Sequence, residues 1–277
     1  MSDLISVIIP TFNRAALLGR AIHSVMNQSY KNFELIIIDD GSTDHTEELL
    51  CEIGTKYNFN YSKKSNKGVA HSRNYGVSLA TGQWYAFLDS DDEWHPDKLQ
   101  KQIQFLKANP HLKMVYTDEI WIRHEKQVNQ KKSHQKHGGN IFEHCLKQCF
   151  IAPSSVLIHR ELFLEVGGFD ESLVVCEDYD LWLRISSAFE IGLLSSPLIV
   201  KYGGHEDQLS TKYFAMDKWR ILSLQNLLMS KSLTSIQRDL VKQMIVQKGS
   251  LLRKGYLKYG HQDEAEALKI VLEKLLV

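Results

Sequence analysis

The sequence predicts an α/β fold in which a mostly parallel central sheet is flanked by helices and followed by a C-terminal helical extension. The first third of the chain alternates short apolar runs of strand length with runs whose apolar residues recur at helical spacing. Such a βαβαβ order favours parallel strands joined by right-handed crossovers. From Tyr213 onward the spacing is helical throughout, which predicts the extension.

Composition and charge limit the classes of protein that fit. The 277 residues are 43% hydrophobic and 24% charged, which is ordinary for a globular chain. Lys and Arg total 33, as do Asp and Glu, and this zero net charge argues against a nucleic-acid partner. The N-terminus lacks the basic region of a signal peptide, and four cysteines are too few for a disulfide scaffold. We therefore expect a cytoplasmic protein and leave open peripheral contact with the inner face of a membrane.

Four short strands are predicted in the first third, each stopped by a turn signal. Helices are predicted after them: Asn13 is placed to cap the first, Asp44 to cap the second and Gly82 to end the third. Pro96 is placed to start the fourth helix. The predicted strands cover residues 5–9, 33–38, 58–62 and 84–88.

The rest of the chain is less regular. Residues 123–139 are polar and predict a loop or a mobile hairpin. In the extension, Thr234 and Asp263 are placed to cap helices. Between these two regions the patterns predict strands over 153–158 and 198–200, and helices over 160–166 and 179–189.

The strongest chemical signal is the acidic turn Asp89-Ser90-Asp91-Asp92, which follows the fourth strand. Carboxylates this close repel one another unless a cation or solvent relieves them. Hard cations such as Mg²⁺ or Mn²⁺ take oxygen ligands and often share them with substrate phosphates. The alternative is a solvated acidic turn that precedes a helix.

A second acidic turn, Asp39-Asp40-Gly41, ends the second strand. Because ligands of parallel sheets bind beyond the carboxyl ends of the strands, Asp40 is placed to accept hydrogen bonds from a base or a ribose. Arg73 lies in the chain between the two turns and is available to a diphosphate or a base edge. The alternatives are that the turn only connects a strand to a helix and that Arg73 is a surface cation.

Four segments in this order resemble the family-two inverting glycosyltransferases of the GT-A fold. They are residues 7–14 (VIIPTFNR), 39–42 (DDGS), 70–76 (AHSRNYG) and 87–92 (FLDSDD). The resemblance covers roughly residues 4–210 and implies a GT-A-like catalytic domain over residues 1–212. Within it, residues 1–118 would bind the nucleotide-sugar and residues 119–212 the acceptor. Residues 213–277 would form the helical extension.

The resemblance implies a nucleotide-sugar donor, usually linked to UDP, and a bound Mn²⁺ or Mg²⁺. By position, Asp91 would be a metal ligand, with Asp89 facing the ribose or the metal. His205 would be a metal ligand when neutral or bind the diphosphate when protonated, although a plain loop histidine is the alternative. The residues implied to bind the nucleotide are Pro10, Thr11, Asn13, Asp40, Arg73 and Asp89.

A later acidic pair, Glu177-Asp178, stands at the start of a predicted helix. The resemblance implies that such a pair supplies the catalytic base, and we assign Asp178 as the base with Glu177 orienting the acceptor. The alternative is a pair favoured by the helix dipole. The resemblance also implies a role in cell-surface glycan synthesis; whether the acceptor is a glycan, a lipid-linked sugar or a protein stays open.

Two rival functions remain from the sequence. Asp89 could be the nucleophile of a metal-dependent phosphotransferase or phosphatase, because an Asp-x-Asp after a strand also occurs there. The chain could also be a nucleotide-sugar-binding module without turnover. Trp94 and Trp121, near the predicted cleft, are candidates for stacking on sugar.

Overall fold

The computed structural model describes residues 3–129, 134–204 and 215–276, in which one twisted sheet is covered on both faces. The strands occur in the spatial order β3-β2-β1-β4-β8-β6-β9-β5, and β7 pairs with β6. The bounds of the strands are β1 Ile5–Thr11, β2 Phe33–Asp39, β3 Asn60–Lys63, β4 Trp84–Phe87, β5 Glu93–Trp94, β6 Met114–Arg123, β7 Lys126–Val128, β8 Leu157–His159 and β9 Gly192–Gly203.

The helices follow the predicted alternation in the first third and dominate after residue 215. Their bounds are α1 Ala15–Met26, α2 Thr46–Gly54, α3 Val69–Leu79, α4 Lys98–Ala108, α5 Phe142–Lys147, α6 Arg160–Glu165, α7 Glu177–Ser186, α8 Met216–Met229, α9 Ser235–Lys258 and α10 Gln262–Leu276. Within the described part of the chain, no helix combines the length and the apolar character needed to cross a bilayer.

The N-terminal half of the sheet is parallel, as predicted. Strands β3, β2, β1 and β4 run in one direction, and Thr11 pairs with Asp39 at the ends of β1 and β2. Beyond β4 the sheet is mixed, because β8 is antiparallel to both β4 and β6, whereas β6 and β9 are parallel. The α/β fold with a helical C-terminal region is thus confirmed, and both acidic turns follow strands of the parallel half.

Each face of the sheet has its own apolar core, as the two-residue period of a strand requires. Along β1, Val7 and Ile9 enter one core and Ile8 enters the other. The core around Ile8 also contains residues of the extension, such as Leu224 and Val241, packed with residues of α5 and α7. The extension therefore shares a core with the elements beside it. The predicted boundary after residue 212 lies outside the described residues.

Two predicted elements differ from the structure, and a third is in part confirmed. The predicted strand over 153–158 is a 3-10 turn, Pro153–Ser155, followed by β8, because the Ser154 hydroxyl bonds to Asp92 of the acidic turn and its carbonyl oxygen to Trp94 of β5. The late strand predicted over 198–200 is the much longer β9. The loop or mobile hairpin predicted over 123–139 begins as the β6–β7 hairpin, and its residues 130–133 lie outside the described part.

The cap prediction for Asn13 is wrong. Asn13 adopts a left-handed conformation with φ of 52°, and its Oδ1 accepts a hydrogen bond from Thr43 N–H at 2.8 Å. The N–H of Ala15, at the start of α1, instead donates to Asp44 Oδ2 at 3.1 Å. The cap at Thr234 is confirmed, because Thr234 and Gln237 form a reciprocal capping box at the start of α9.

Candidate active site

The loops after β1 and β2 are hydrogen-bonded to each other at the carboxyl edge of the sheet. The N–H of Asn13 donates to Ser42 Oγ at 2.8 Å, and the N–H of Ser42 donates to Asp39 Oδ1 at 2.8 Å. Gly41 has φ of 84°, and a Cβ there would lie 3.0 Å from the Lys64 carbonyl oxygen. The DDGS turn needs glycine at this point because the following loop approaches it closely.

Asp40 organises the loop that leads into α3. Its carboxylate accepts hydrogen bonds from the N–H groups of Lys67 at 2.9 Å and Gly68 at 2.8 Å, and it forms an ion pair with Lys64. Thr11 lies beside it at the end of β1, and the buried Thr11 hydroxyl has no hydrogen-bond partner in the part of the chain that the structure describes. This leaves a buried hydroxyl at the point where the sequence predicts a nucleoside. Pro10 is also buried in β1.

Arg73 joins the acidic turn to the acidic pair, 104 residues away in the chain from Glu177. Its guanidinium lies 2.7 Å from Asp89 Oδ1 and 2.6 Å from Glu177 Oε1, and Arg73 is 3% exposed. Burial raises the pKa of Glu177 to about 7, against the opposing effect of Arg73. Burial favours a higher pKa for Asp89, but the nearby Arg73 outweighs this effect, so the pKa of Asp89 is lowered. The sequence predicted Arg73 as a nucleotide contact but gave no sign that it pairs with both Asp89 and Glu177.

Asp91 is paired with a different arginine. Arg14 Nη1 lies 2.6 Å from Asp91 Oδ2, and Arg20 Nη2 donates to the Asp91 carbonyl oxygen at 2.7 Å. Arg20 in turn stacks over the ring of Tyr202 of β9, 3.5 Å from its centroid. The backbone of the acidic turn is thereby fixed from α1, and the Asp91 carboxylate has a cation beside it.

Asp92 is buried behind the turn, and the partly exposed Lys201 of β9 feels its charge. Asp92 Oδ2 accepts a hydrogen bond from Ser154 Oγ at 2.6 Å, and burial raises the pKa of Asp92 well above its ordinary value. Burial of Lys201 favours a lower pKa, but the carboxylates around it, Asp92 foremost, raise its pKa overall. Lys201 could not be identified from the sequence, since one lysine in a late strand carries no local signal of the carboxylates near it.

The acidic turn suits a metal that is shared with a substrate. Within the described ranges, no group of three or more His, Cys, Asp or Glu side chains could hold a metal ion by itself. Mg²⁺ and Mn²⁺ in phosphate-processing sites commonly take one or two carboxylates and complete their shell with phosphates and water. Asp89 and Asp91 match that donor set. His205 lies outside the described residues.

The acidic pair at the start of α7 divides into a buried and an accessible carboxylate. Cys176, the residue before the helix, has φ of 66°, a strained value for a residue with a side chain. Glu177 is 6% exposed and is held by Arg73, whereas Asp178 is partly exposed. Asp178 Oδ1 accepts from Tyr179 N–H at 2.7 Å, and Oδ2 accepts from the Cys149 thiol at 3.2 Å.

One aromatic prediction is wrong. Trp94 is 2% exposed, and its indole N–H donates to the Ser154 carbonyl oxygen, so it belongs to the core. Its position beside the acidic turn suggested a cleft, but β5 pairs with β9 and buries the ring. Trp121 stays partly exposed on β6, with its indole N–H bonded to Glu119.

The fold agrees with the comparison to known proteins. The model of the family described as glycosyl transferase family 2 matches residues 6–167, and the chain belongs to this family.

Two relatives indicate the range of similarity. An uncharacterized glycosyltransferase of Rickettsia conorii is 37% identical over 194 residues, which are 70% of this chain and 32% of that protein. The chain spans about a third of the length of the first curated relatives that it matches. Escherichia coli WfgD, named UDP-Glc:alpha-D-GlcNAc-diphosphoundecaprenol beta-1,3-glucosyltransferase, is 31% identical over 222 residues, which are 79% of this chain and 85% of WfgD.

Solved structures share the fold at lower identity. S. aureus TarS 1–349 in complex with UDP-GlcNAc has a TM-score of 0.71 and 21% identity, covering 88% of this chain and 71% of that one. The mannosyltransferase PcManGT from Pyrobaculum calidifontis, in complex with GDP-Man and Mn²⁺, has a TM-score of 0.64 and 17% identity, covering 99% of this chain and 80% of that one. The chain therefore has the fold of GT-A glycosyltransferases.

Proposed function

We propose that the chain is an inverting glycosyltransferase that moves a sugar from a nucleoside diphosphate sugar, most simply a UDP-sugar, to an acceptor hydroxyl. The observation that carries this proposal is the Arg73 bridge. By contacting Asp89 and Glu177 at once, Arg73 holds the donor-side turn and the start of the base-bearing helix in one rigid unit. Transfer needs such a fixed separation, because the donor's anomeric carbon and the base must face the same hydroxyl.

The donor would lie along the carboxyl edge of the parallel half of the sheet. The nucleoside would contact the first two loops, where the buried Thr11 hydroxyl has no hydrogen-bond partner among the described residues. Asp91 and Asp89 would hold Mn²⁺ or Mg²⁺, which supplies Lewis-acid stabilisation of the leaving diphosphate. The residues proposed to bind the nucleotide are Pro10, Thr11, Asn13, Asp40, Arg73 and Asp89, and His205 is proposed near the metal or the diphosphate.

Asp178 would act as the general base. It is the accessible member of the acidic pair, and among the described residues it has no arginine partner of the kind that engages Glu177. As the acceptor oxygen bonds to the anomeric carbon, the bond from that carbon to the diphosphate breaks and Asp178 takes the hydroxyl proton. Arg73 would hold Glu177 in place beside the acceptor.

The relatives favour this reading over its rivals. WfgD is named for a UDP-glucose donor and a sugar-diphosphate lipid acceptor, and TarS binds UDP-GlcNAc. We therefore propose a UDP-sugar donor, an acceptor in surface glycan synthesis and a site of action on the cytoplasmic side, with peripheral contact at the membrane. A phosphotransferase would leave Glu177 and Asp178 without a role, and a non-catalytic module would need no accessible base.

Incubation with a panel of nucleotide-sugars tests the proposed activity. With Mn²⁺ present, we expect release of UDP from at least one UDP-hexose or UDP-N-acetylhexosamine, accelerated by a sugar-diphosphate lipid acceptor. The released nucleotide and the glycosylated lipid are measured in parallel. A folded protein that forms a covalent aspartyl-phosphate at Asp89 would favour the phosphotransferase, and one that binds nucleotides but never turns over would favour the binding module.

A further inference from the structure

We infer that the Cys149 thiol positions the Asp178 carboxylate, an inference that rests on the proposed function. The thiol donates to Asp178 Oδ2 at 3.2 Å, while Oδ1 accepts from the N–H of Tyr179 at 2.7 Å. The two donors come from different parts of the chain. Tyr179 directly follows Asp178, whereas Cys149 precedes Asp178 by 29 residues. Because each oxygen has its own donor, the carboxylate cannot rotate without losing one of the two hydrogen bonds.

Helix α7 holds the segment that carries Cys149. The Tyr179 hydroxyl donates to the Leu146 carbonyl oxygen at 2.8 Å, and the Trp182 indole N–H donates to the Ile151 carbonyl oxygen at 2.9 Å. Both aromatic side chains are almost fully buried. Tyr179 and Trp182 therefore hydrogen-bond to the backbone on both sides of Cys149, which fixes the thiol relative to Asp178.

Other elements anchor the same segment. The buried Lys248 of α9 donates to the Lys147 carbonyl oxygen at 2.7 Å, and Lys136 donates to the carbonyl oxygen of Phe150. The C-terminal extension thus reaches the proposed base through this segment. Because the backbone around Cys149 is anchored by several hydrogen bonds, the thiol has a fixed position, which a positioning group requires.

The thiol is in the protonated state that donation requires. Burial, with the neighbouring Asp178 carboxylate, raises the pKa of Cys149 well above its ordinary value. A thiol is a weak donor, so it orients a carboxylate while removing less of its basicity than a stronger donor would. Each carboxylate oxygen keeps a second lone pair, which leaves Asp178 able to take the proton of an acceptor hydroxyl.

Substitutions at Cys149 separate positioning from packing. Cys149→Ala removes the donor, and we expect the kcat of sugar transfer to fall about fivefold, the effect of one modest hydrogen bond, with donor KM unchanged. Cys149→Ser keeps a donor on the same Cβ, and we expect it to restore at least about half of the lost rate. Cys149→Val, which keeps the volume without a donor, gives the same test should the alanine variant melt early.

The matched control is Cys145→Ala, which removes the thiol of a buried cysteine in α5 and should leave kcat near the wild-type value. Adding Cys149→Ala to Asp178→Asn should cost no further rate, because the group being positioned is already lost. A serine variant as slow as the alanine variant, a valine variant at the wild-type rate, or a further loss in the double variant would overturn the inference. A wild-type chain that transfers no sugar would instead refute the proposed function itself.

Discussion

Asp178→Asn should lower the rate of sugar transfer at least about a hundredfold while donor binding stays unchanged. Asparagine keeps the size of the side chain and can still accept from Tyr179 N–H, so the start of α7 should keep its shape. It cannot take a proton at neutral pH, which removes the step assigned to Asp178. Transfer is measured with the acceptor at saturation, and binding of UDP with Mn²⁺ is measured by calorimetry.

The control for this variant is Asp239→Asn, which makes the same change on the exposed face of α9. It should transfer sugar at the wild-type rate. If Asp178→Asn also does so, Asp178 is not the base. If Asp178→Asn loses UDP binding together with transfer, its role lies in the donor site.

Asp91→Ala should abolish the Mn²⁺-assisted part of nucleotide binding and lower transfer at least about a hundredfold. Asp91 is one of two carboxylates that match the expected metal, so its loss leaves Asp89, which already pairs with Arg73. The variant also frees Arg14 from its ion pair, and this cation can still attract a diphosphate. We therefore expect weak UDP binding whose affinity is the same with Mn²⁺ and with a chelator.

Asp97→Ala serves as the control, since it makes the same substitution six residues later, at the start of α4. Its UDP affinity should retain the wild-type response to Mn²⁺. An Asp91→Ala protein that keeps the full response would show that the metal is held elsewhere. Melting temperatures of both variants establish that they are folded.

The parallel half of the fold could be predicted because its signals are local. Strands such as β1 and β2 are short apolar runs buried on both faces, and the acidic turns follow β2 and β4. β6 escaped prediction because it buries polar side chains among its apolar ones. Glu119 is buried there beside Lys136, a partner that lies beyond the hairpin.

The site could be predicted only where neighbouring residues carry its chemistry. Asp89, Asp91 and the Glu177-Asp178 pair stand out as clusters in the chain. The contacts that organise these clusters cannot be recognised in the sequence, because they join segments that are distant in the chain. The Arg73 bridge spans 104 residues, and the thiol of Cys149 reaches Asp178 from a loop with no motif.

The central claim is that the two acidic turns form one metal-assisted nucleotide site. Thermal denaturation with UDP, GDP, CDP and ADP, each with and without Mn²⁺, tests it most directly, since a ligand that binds only the folded state raises the melting temperature. We predict that one nucleotide, UDP above the others, raises the melting temperature and does so only with Mn²⁺. A folded protein that no nucleotide stabilises, or one that UDP stabilises equally without metal, would contradict the claim.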